Sequence, residues 1–288
     1  MFAHASADAW APTRPMASAE GGDKYRSFLH GDGEKNTVWR HGAPPNYDLV
    51  NKLFEEERTK EWAEGSLEEK VQRLLKTWEM ELVHKVRPED QKSVHPKNYS
   101  ATTNGLKPLT REEVMAMGGY NAFLGTTLPP EHRIYDPDAE SVESATSTFL
   151  TGFPRGFAIE VLDVYSGPPN PRIAFKFRPW GYMEGPFKGP PPHGPRVEFF
   201  GVCVFPVYEG PKVEKGGFFF EGGNFLASFL SGPAFVAASA SGCPVMKGDL
   251  SAKELGKRAP CFVSRISDLV KFLVRARNFL INKIFFPP

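Results

Sequence analysis

The chain is predicted to be α+β, with helices in its first half packing on strands in its second. Three observations predict this. Residues 48–85 carry apolar side chains at helical spacing, four runs between 157 and 221 are rich in Phe, Val and Ile, and Gly or Pro separates those runs. Short connections between successive runs imply an antiparallel meander, and helices followed by strands argue against a doubly wound parallel sheet.

Asp48 is placed to cap a first helix over 48–63, with Leu49, Val50, Leu53, Phe54 and Trp62 on one face and Gly65 as its stop. Ser66 caps a second over 66–85. Its Leu67, Val71, Leu74, Leu75, Trp78 and Leu82 form a stripe, while Glu68, Lys70, Arg73 and Lys76 take the other side. Trp78 is expected in the core. Thr110-Arg111-Glu112-Glu113 is a capping box that opens a third helix carrying Val114, Met117, Asn121 and Leu124, and ending before Pro129. Strands are expected at 157–165, 172–182, 196–207 and 212–221. Both alternating sets of the 196–207 strand are apolar, so both faces of the sheet are expected to be covered there, by core, by a cavity lining or by a dimer interface.

The domain is expected to run over 47–230. Residues 1–46 are expected to form a loosely ordered extension, and 231–288 a C-terminal one. Within the latter, 250–288 hold eight Lys and Arg against Glu254 and Asp268, a net +6 in a chain whose total is +1. The rest therefore carries 27 basic against 32 acidic groups, which gives no phosphate-neutralising stripe and excludes nucleic acid as a partner. Cys203, Cys243 and Cys261 suit neither a disulfide framework nor a zinc site. With no secretory leader and no apolar run long enough to span a membrane, the expected location is the cytoplasm.

Several motifs carry a resemblance. Lys76-Thr77-Trp78-Glu79-Met80-Glu81 with His84-Lys85, then Asn104-Gly105, Gly119-Tyr120-Asn121 and Gly189-Pro190-Pro191-Pro192-His193-Gly194 before a Val-Glu-Phe strand, resemble the plant pathogen-related proteins. The general layout and the Gly-x-Pro-Pro-x-Gly turn are more distantly similar to SnoaL-like polyketide cyclases. The resemblance covers about 17–249 and stops before the basic tail, which reads as a non-homologous extension. It implies a cone-shaped, strongly curved antiparallel sheet wrapped around N-terminal helices, the nuclear transport factor 2-like fold. That fold hosts enzymes, binding proteins and dimerisation modules alike, so function has to be argued from the site.

The cyclases resembled here use a carboxylate near the end of the last strands and neither metal nor cofactor. The strand-end Asp is not matched in Phe218-Phe219-Phe220-Glu221-Gly222-Gly223, where Glu221 is the carboxylate. Glu198 is a second candidate base on the strand after the Pro-rich turn, and His193 a candidate proton donor. For both carboxylates a solvated position is the competing reading, and for His193 a plain turn position. Trp78, Tyr120, Asn121, Trp180 and Tyr182 are candidate pocket residues, with core packing or a structural hydrogen bond as the alternative. Glu81, His84 and Lys85 share one side of the second helix and read as a solvated ionic group.

The expected function is a defence-associated protein holding a small hydrophobic molecule without turnover. The alternative is a cofactor-independent cyclase or isomerase of a polyketide- or steroid-like carbonyl compound, using Glu198 or Glu221. A third reading is a dimerisation module with a filled cone. A homodimer stays open as a partner, and no hydrolase, nucleotide-binding or metalloprotease motif occurs.

Overall fold

The computed structural model describes residues 23–165, 172–206 and 212–230. The basic tail and Cys243 and Cys261 lie outside those residues.

Helix α1 spans Asp48–Glu57 and buries Val50, Leu53 and Phe54. It ends six residues before the expected end at 63. Arg58 turns extended, the Thr59 amide and hydroxyl donate to Glu160, and the Trp62 indole donates to the Val161 carbonyl, so this stretch is fastened along a strand instead. Helix α2 spans Leu67–His84 with the Ser66 side chain accepting from the Glu69 amide, as expected for an N-cap. Val71, Leu74, Leu75 and Trp78 of its stripe are buried, Leu67 and Leu82 are half-buried, and Lys76, which the amphipathic pattern assigned to the polar side, is buried as well.

The Thr110 capping box is present and opens α3 over Arg111–Met117. Gly118, at φ 92°, breaks the run, and a short α4 follows over Gly119–Phe123. Helix α5, Val142–Gly152, arises where no element is expected, with Ser141 and Ser144 capping it and Ala145, Thr146, Phe149 and Gly152 buried. Helix α6 spans Gly222–Ser228.

Among the described residues seven strands form one curved, unclosed sheet: β1 Ser100–Thr103, β2 Leu109–Thr110, β3 Ala158–Val164, β4 Arg172–Tyr182, β5 Arg196–Glu198, β6 Gly201–Pro206 and β7 Lys215–Phe220. The order is β2-β1-β7-β6-β4-β3, with β5 paired to the second half of β4. The β3–β4–β6–β7 part is the expected antiparallel meander. One pairing departs from it, because β1 lies parallel to β7. The 196–207 run is also split at Phe199-Phe200 into β5 and β6. A register shift in β3 between Val161 and Asp163 adds local bend and twist.

Helix α2 lies on the sheet through a core that joins Val71, Leu74, Leu75 and Trp78 to Phe175, Phe177, Cys203 and Phe205. Gly216 permits the contact, since a Cβ there would stand 2.5 Å from the Trp78 ring. On β6, Cys203 and Phe205 are buried while Val202 and Val204 are only half-buried, and Phe200 and Phe219 are about half exposed. The outer face is thus not covered by the described residues, although both strand faces are apolar.

Asp23–Asn46 is held by specific contacts where no periodicity marks it. Arg26, Leu29, Glu34 and Trp39 are buried there. Arg26 donates to Asn51, the Ser27 amide donates to Thr77, and Glu34 joins the buried Lys85. Polar bonding of this kind leaves no repeat in the sequence.

Candidate functional site

Part of the core stripe of α2 also faces a cavity. Leu75, Trp78, Glu79 and Leu82 follow the i, i+3, i+4, i+7 spacing, so one stripe of α2 presents all four to the same space. The cavity has a volume of about 670 Å³ and is bounded by α2, α4, α5 and the inner face of the sheet. Its walls are mostly apolar and include the rings of Trp78, Phe123, Phe149, Phe177, Phe199, Phe218 and Phe225. Several of these rings order one another, as Phe123 stacks on Phe220 at 4.3 Å and Trp78 on Phe218 at 5.0 Å.

Among the polar groups that line it, Tyr47, Glu79, His84 and Tyr120 are half-buried beside that wall. The Tyr47 hydroxyl donates to Glu79 Oε2 at 3.5 Å, a long contact, and the Tyr47 ring meets His84 edge-on at 5.9 Å between centroids. The Arg26 guanidinium covers a face of the Tyr47 ring at 3.4 Å. Tyr120 stacks on Phe149 at 4.3 Å, and its hydroxyl has no hydrogen-bond partner among the described residues.

Burial governs the protonation of this group. It holds the Glu79 carboxyl above its ordinary range, against the opposing pull of Arg26, Lys76 and the Tyr47 hydrogen bond. Burial, followed by the charge of Glu79, pushes both phenols up, so each keeps its proton. His84 is pushed down to about 4, first by burial and then by the neighbouring His41, Arg26 and Arg40. At neutral pH the imidazole is therefore uncharged, and the site offers two phenolic donors and one carboxyl. Of the other charged residues lining the cavity, Lys107 and Asp138 are exposed and Arg155 pairs with Glu184 at 2.7 Å. Among the described residues no cluster of His, Cys, Asp or Glu is arranged to hold a metal ion.

Of the residues singled out from the sequence, Trp78, Tyr120 and Asn121 line this cavity. Asn121 is bound structurally as well: its amide donates to the Met117 and Glu140 carbonyls and its oxygen accepts from the Tyr135 hydroxyl, which ties α4 to the start of α5. Trp180 and Tyr182 do not line it. Strand parity sends them the other way, since Phe175 and Phe177 point inward and Arg178, Trp180 and Tyr182 outward. Trp180 packs on Phe54, and the Tyr182 hydroxyl donates to Glu57.

Glu198, Glu221 and His193 also lie outside the cavity lining. Glu198 sits opposite Trp180 in the sheet and pairs with Arg178 at 3.4 Å and Arg196 at 3.2 Å. Glu221 accepts from the Gly223 amide at the start of α6. His193 is half-buried in the Pro-rich turn, with neither ring nitrogen hydrogen-bonded. Glu81 and Lys85 correct the solvated reading of that ionic group, because both are fully buried and bonded to each other at 2.9 Å.

The lining residues that sequence reasoning passed over are Glu79 and Tyr47, and His84, read there as part of a solvated ionic group, is instead half-buried in the wall. A signal for Glu79 was available. It interrupts the apolar stripe between Trp78 and Leu82, where a carboxylate must face whatever the stripe faces.

Comparison with known proteins adds the following. No protein-family profile matches the chain. Among solved structures, it is similar to a SnoaL-like polyketide cyclase type of protein from Jannaschia sp. (17% identity, 51% of this chain and 80% of that one, TM-score 0.30). It is also similar to a phenazine biosynthesis-related protein from Pseudomonas aeruginosa (12% identity, 46% and 68%, TM-score 0.25). Neither likeness bears on the site. A relative from Hordeum vulgare, named pathogen-related protein, is 87% identical over 234 residues, which are 81% of this chain and 99% of the relative. The chain belongs to the pathogen-related protein family.

Proposed function

We propose that the protein is a defence-associated binding protein that holds a small, mostly apolar molecule in the cavity under α2. The observation that carries this reading is the cavity itself: about 670 Å³, lined mostly by apolar side chains, with the half-buried Tyr47, Glu79, His84 and Tyr120 among its polar groups. That size and composition fit sites that enclose one small organic ligand and orient it through a few polar contacts. The relative's name supports the association with defence. Cys203, a buried free thiol, suits a reducing cytoplasmic setting. A filled cone acting only in dimerisation fits poorly, since the side chains of the described residues leave the space open.

A cofactor-independent cyclase or isomerase is the second reading, and Glu79 is the observation that favours it. Such chemistry needs a carboxylate in a water-poor cavity with donors near the developing oxyanion, and Glu79 has the Tyr47 hydroxyl within reach. The strand-borne Glu198 and Glu221 lie outside the lining, so the base would come from the helix.

The binding reading is tested by filling the space. Ala122 is half-buried on α4 and lines the cavity. Ala122→Trp is expected to weaken the uptake of anthracenylmethanol, followed by its fluorescence, by about tenfold or more while the melting temperature shifts by only a few degrees. Unchanged affinity in a folded variant would place the ligand elsewhere.

A further inference from the structure

The carboxyl of Glu79 is the feature of the cavity least accounted for by apolar binding. It is an acid set into an aromatic wall, and its hydrogen bond from the protein is the 3.5 Å contact from the Tyr47 hydroxyl. No Lys or Arg nitrogen among the described residues pairs with it. The two cations whose charge acts on it, Arg26 and Lys76, make their direct contacts with other groups. Arg26 donates to Asn51 at 2.8 Å and pairs with Asp23 at 3.5 Å. Lys76 lies over the Phe54 ring at 3.1 Å and the Tyr25 ring at 4.5 Å, and burial disfavours its charged form. His84 is uncharged at neutral pH and its ring faces Tyr47. A carboxyl enclosed without a cationic partner is costly to ionise, and a ligand that brings the cation removes that cost.

We propose that the cavity selects an aromatic ligand bearing a protonated amine, whose ammonium group sits between Glu79 and the rings of Tyr47, Trp78 and Tyr120. This rests on the reading of the cavity as a binding site and names the class of ligand it takes. An ammonium donates a charge-assisted hydrogen bond to Glu79, and its charge is favoured by the ring faces it meets. The free Tyr120 hydroxyl can accept a second ammonium hydrogen. The aromatic body of the ligand then lies among Phe123, Phe149 and Phe177. A carboxylate in the same position meets Glu79 as a like charge, and an alcohol makes only the neutral hydrogen bond.

The test uses the full chain at neutral pH and three probes of one shape: anthracenylmethylamine, anthracenylmethanol and anthracene carboxylate, titrated by calorimetry. The amine is expected to bind at least about tenfold tighter than the alcohol, with the carboxylate weakest, as follows from a charge-assisted against a neutral hydrogen bond. Glu79→Gln is expected to bring the amine down to the alcohol and leave the alcohol within about threefold, since the amide keeps the shape and loses the charge. The alcohol binding as tightly as the amine, or the carboxylate binding best, would overturn the amine assignment and leave the binding cavity standing. Amine preference that persists in Glu79→Gln would remove Glu79 from the proposal. If none of the three probes binds, the binding reading fails with it. The comparison among probes on the unmodified chain decides the ligand class even if the variant does not fold.

Discussion

Glu81→Ala is expected to destabilise the protein by about 3–5 kcal/mol, the cost of breaking a buried charge pair by removing one partner. Glu81 is fully buried at the end of α2, where it accepts from Lys85 Nζ at 2.9 Å, from the amides of Lys92 and Ser93, and from the Ser93 hydroxyl. Removing the carboxylate strands two backbone donors as well as part of the ammonium's coordination, leaving Lys85 with Glu34 and the Asp90 carbonyl. Glu34 belongs to the N-terminal segment, so the loss also loosens 23–46. Urea denaturation is the measurement. A change below about 1 kcal/mol would mean that this network is solvated, as exposed pairs are.

Trp78→Ala is expected to cost about 3–5 kcal/mol, the range for large aromatic truncations in a core. Trp78 is 1% exposed and touches Tyr99, Phe205 and Phe218, and its indole donates to the Tyr99 hydroxyl at 3.2 Å. Truncation merges the space it fills with the existing cavity, so the surrounding rings have little means of closing the gap. The same urea experiment checks it. A loss of less than about 1 kcal/mol would place the ring outside the core and undo the packing of α2 on the sheet.

Both residues sit on α2, the element whose sequence was easiest to read. Its apolar stripe and Ser66 cap are local signals, and the strand runs at 158–164, 172–182 and 215–220 are local in the same sense, each bounded by Gly or Pro. What the sequence did not disclose is set by distant partners. Strand β1 reads Ser-Ala-Thr-Thr, with only Ala101 apolar, and is defined by lying parallel to β7 more than a hundred residues on. Helix α5 buries only Ala145, Thr146, Phe149 and Gly152, too few to stand out in a polar stretch. The N-terminal segment is held by Arg26, Glu34 and their partners, whose spacing follows no period.

The site was legible in part for the same reason. Trp78, Tyr120 and Asn121 came forward as pocket candidates and line the cavity, whereas Trp180 and Tyr182 share a strand with Phe177 but not its parity. The candidate carboxylates were sought at strand ends because the resemblance to cyclases points there. Glu79 stood inside a recognised motif, Trp78-Glu79-Met80-Glu81, and was passed over. Two glutamates two residues apart on one helix ended in different environments: Glu81 satisfied by a lysine and two amides, Glu79 facing an aromatic cavity.

The central claim, that this cavity holds a small and mostly apolar molecule, is tested most directly by mass spectrometry of the protein isolated under native conditions from the tissue that makes it. The expected result is one low-mass, largely apolar species bound in about one-to-one ratio, released on unfolding and absent from Ala122→Trp. Its recovery unchanged after incubation supports binding without turnover, and its conversion to an isomer supports the enzymatic reading. A protein that carries no small molecule and takes up none of the apolar probes would contradict the account.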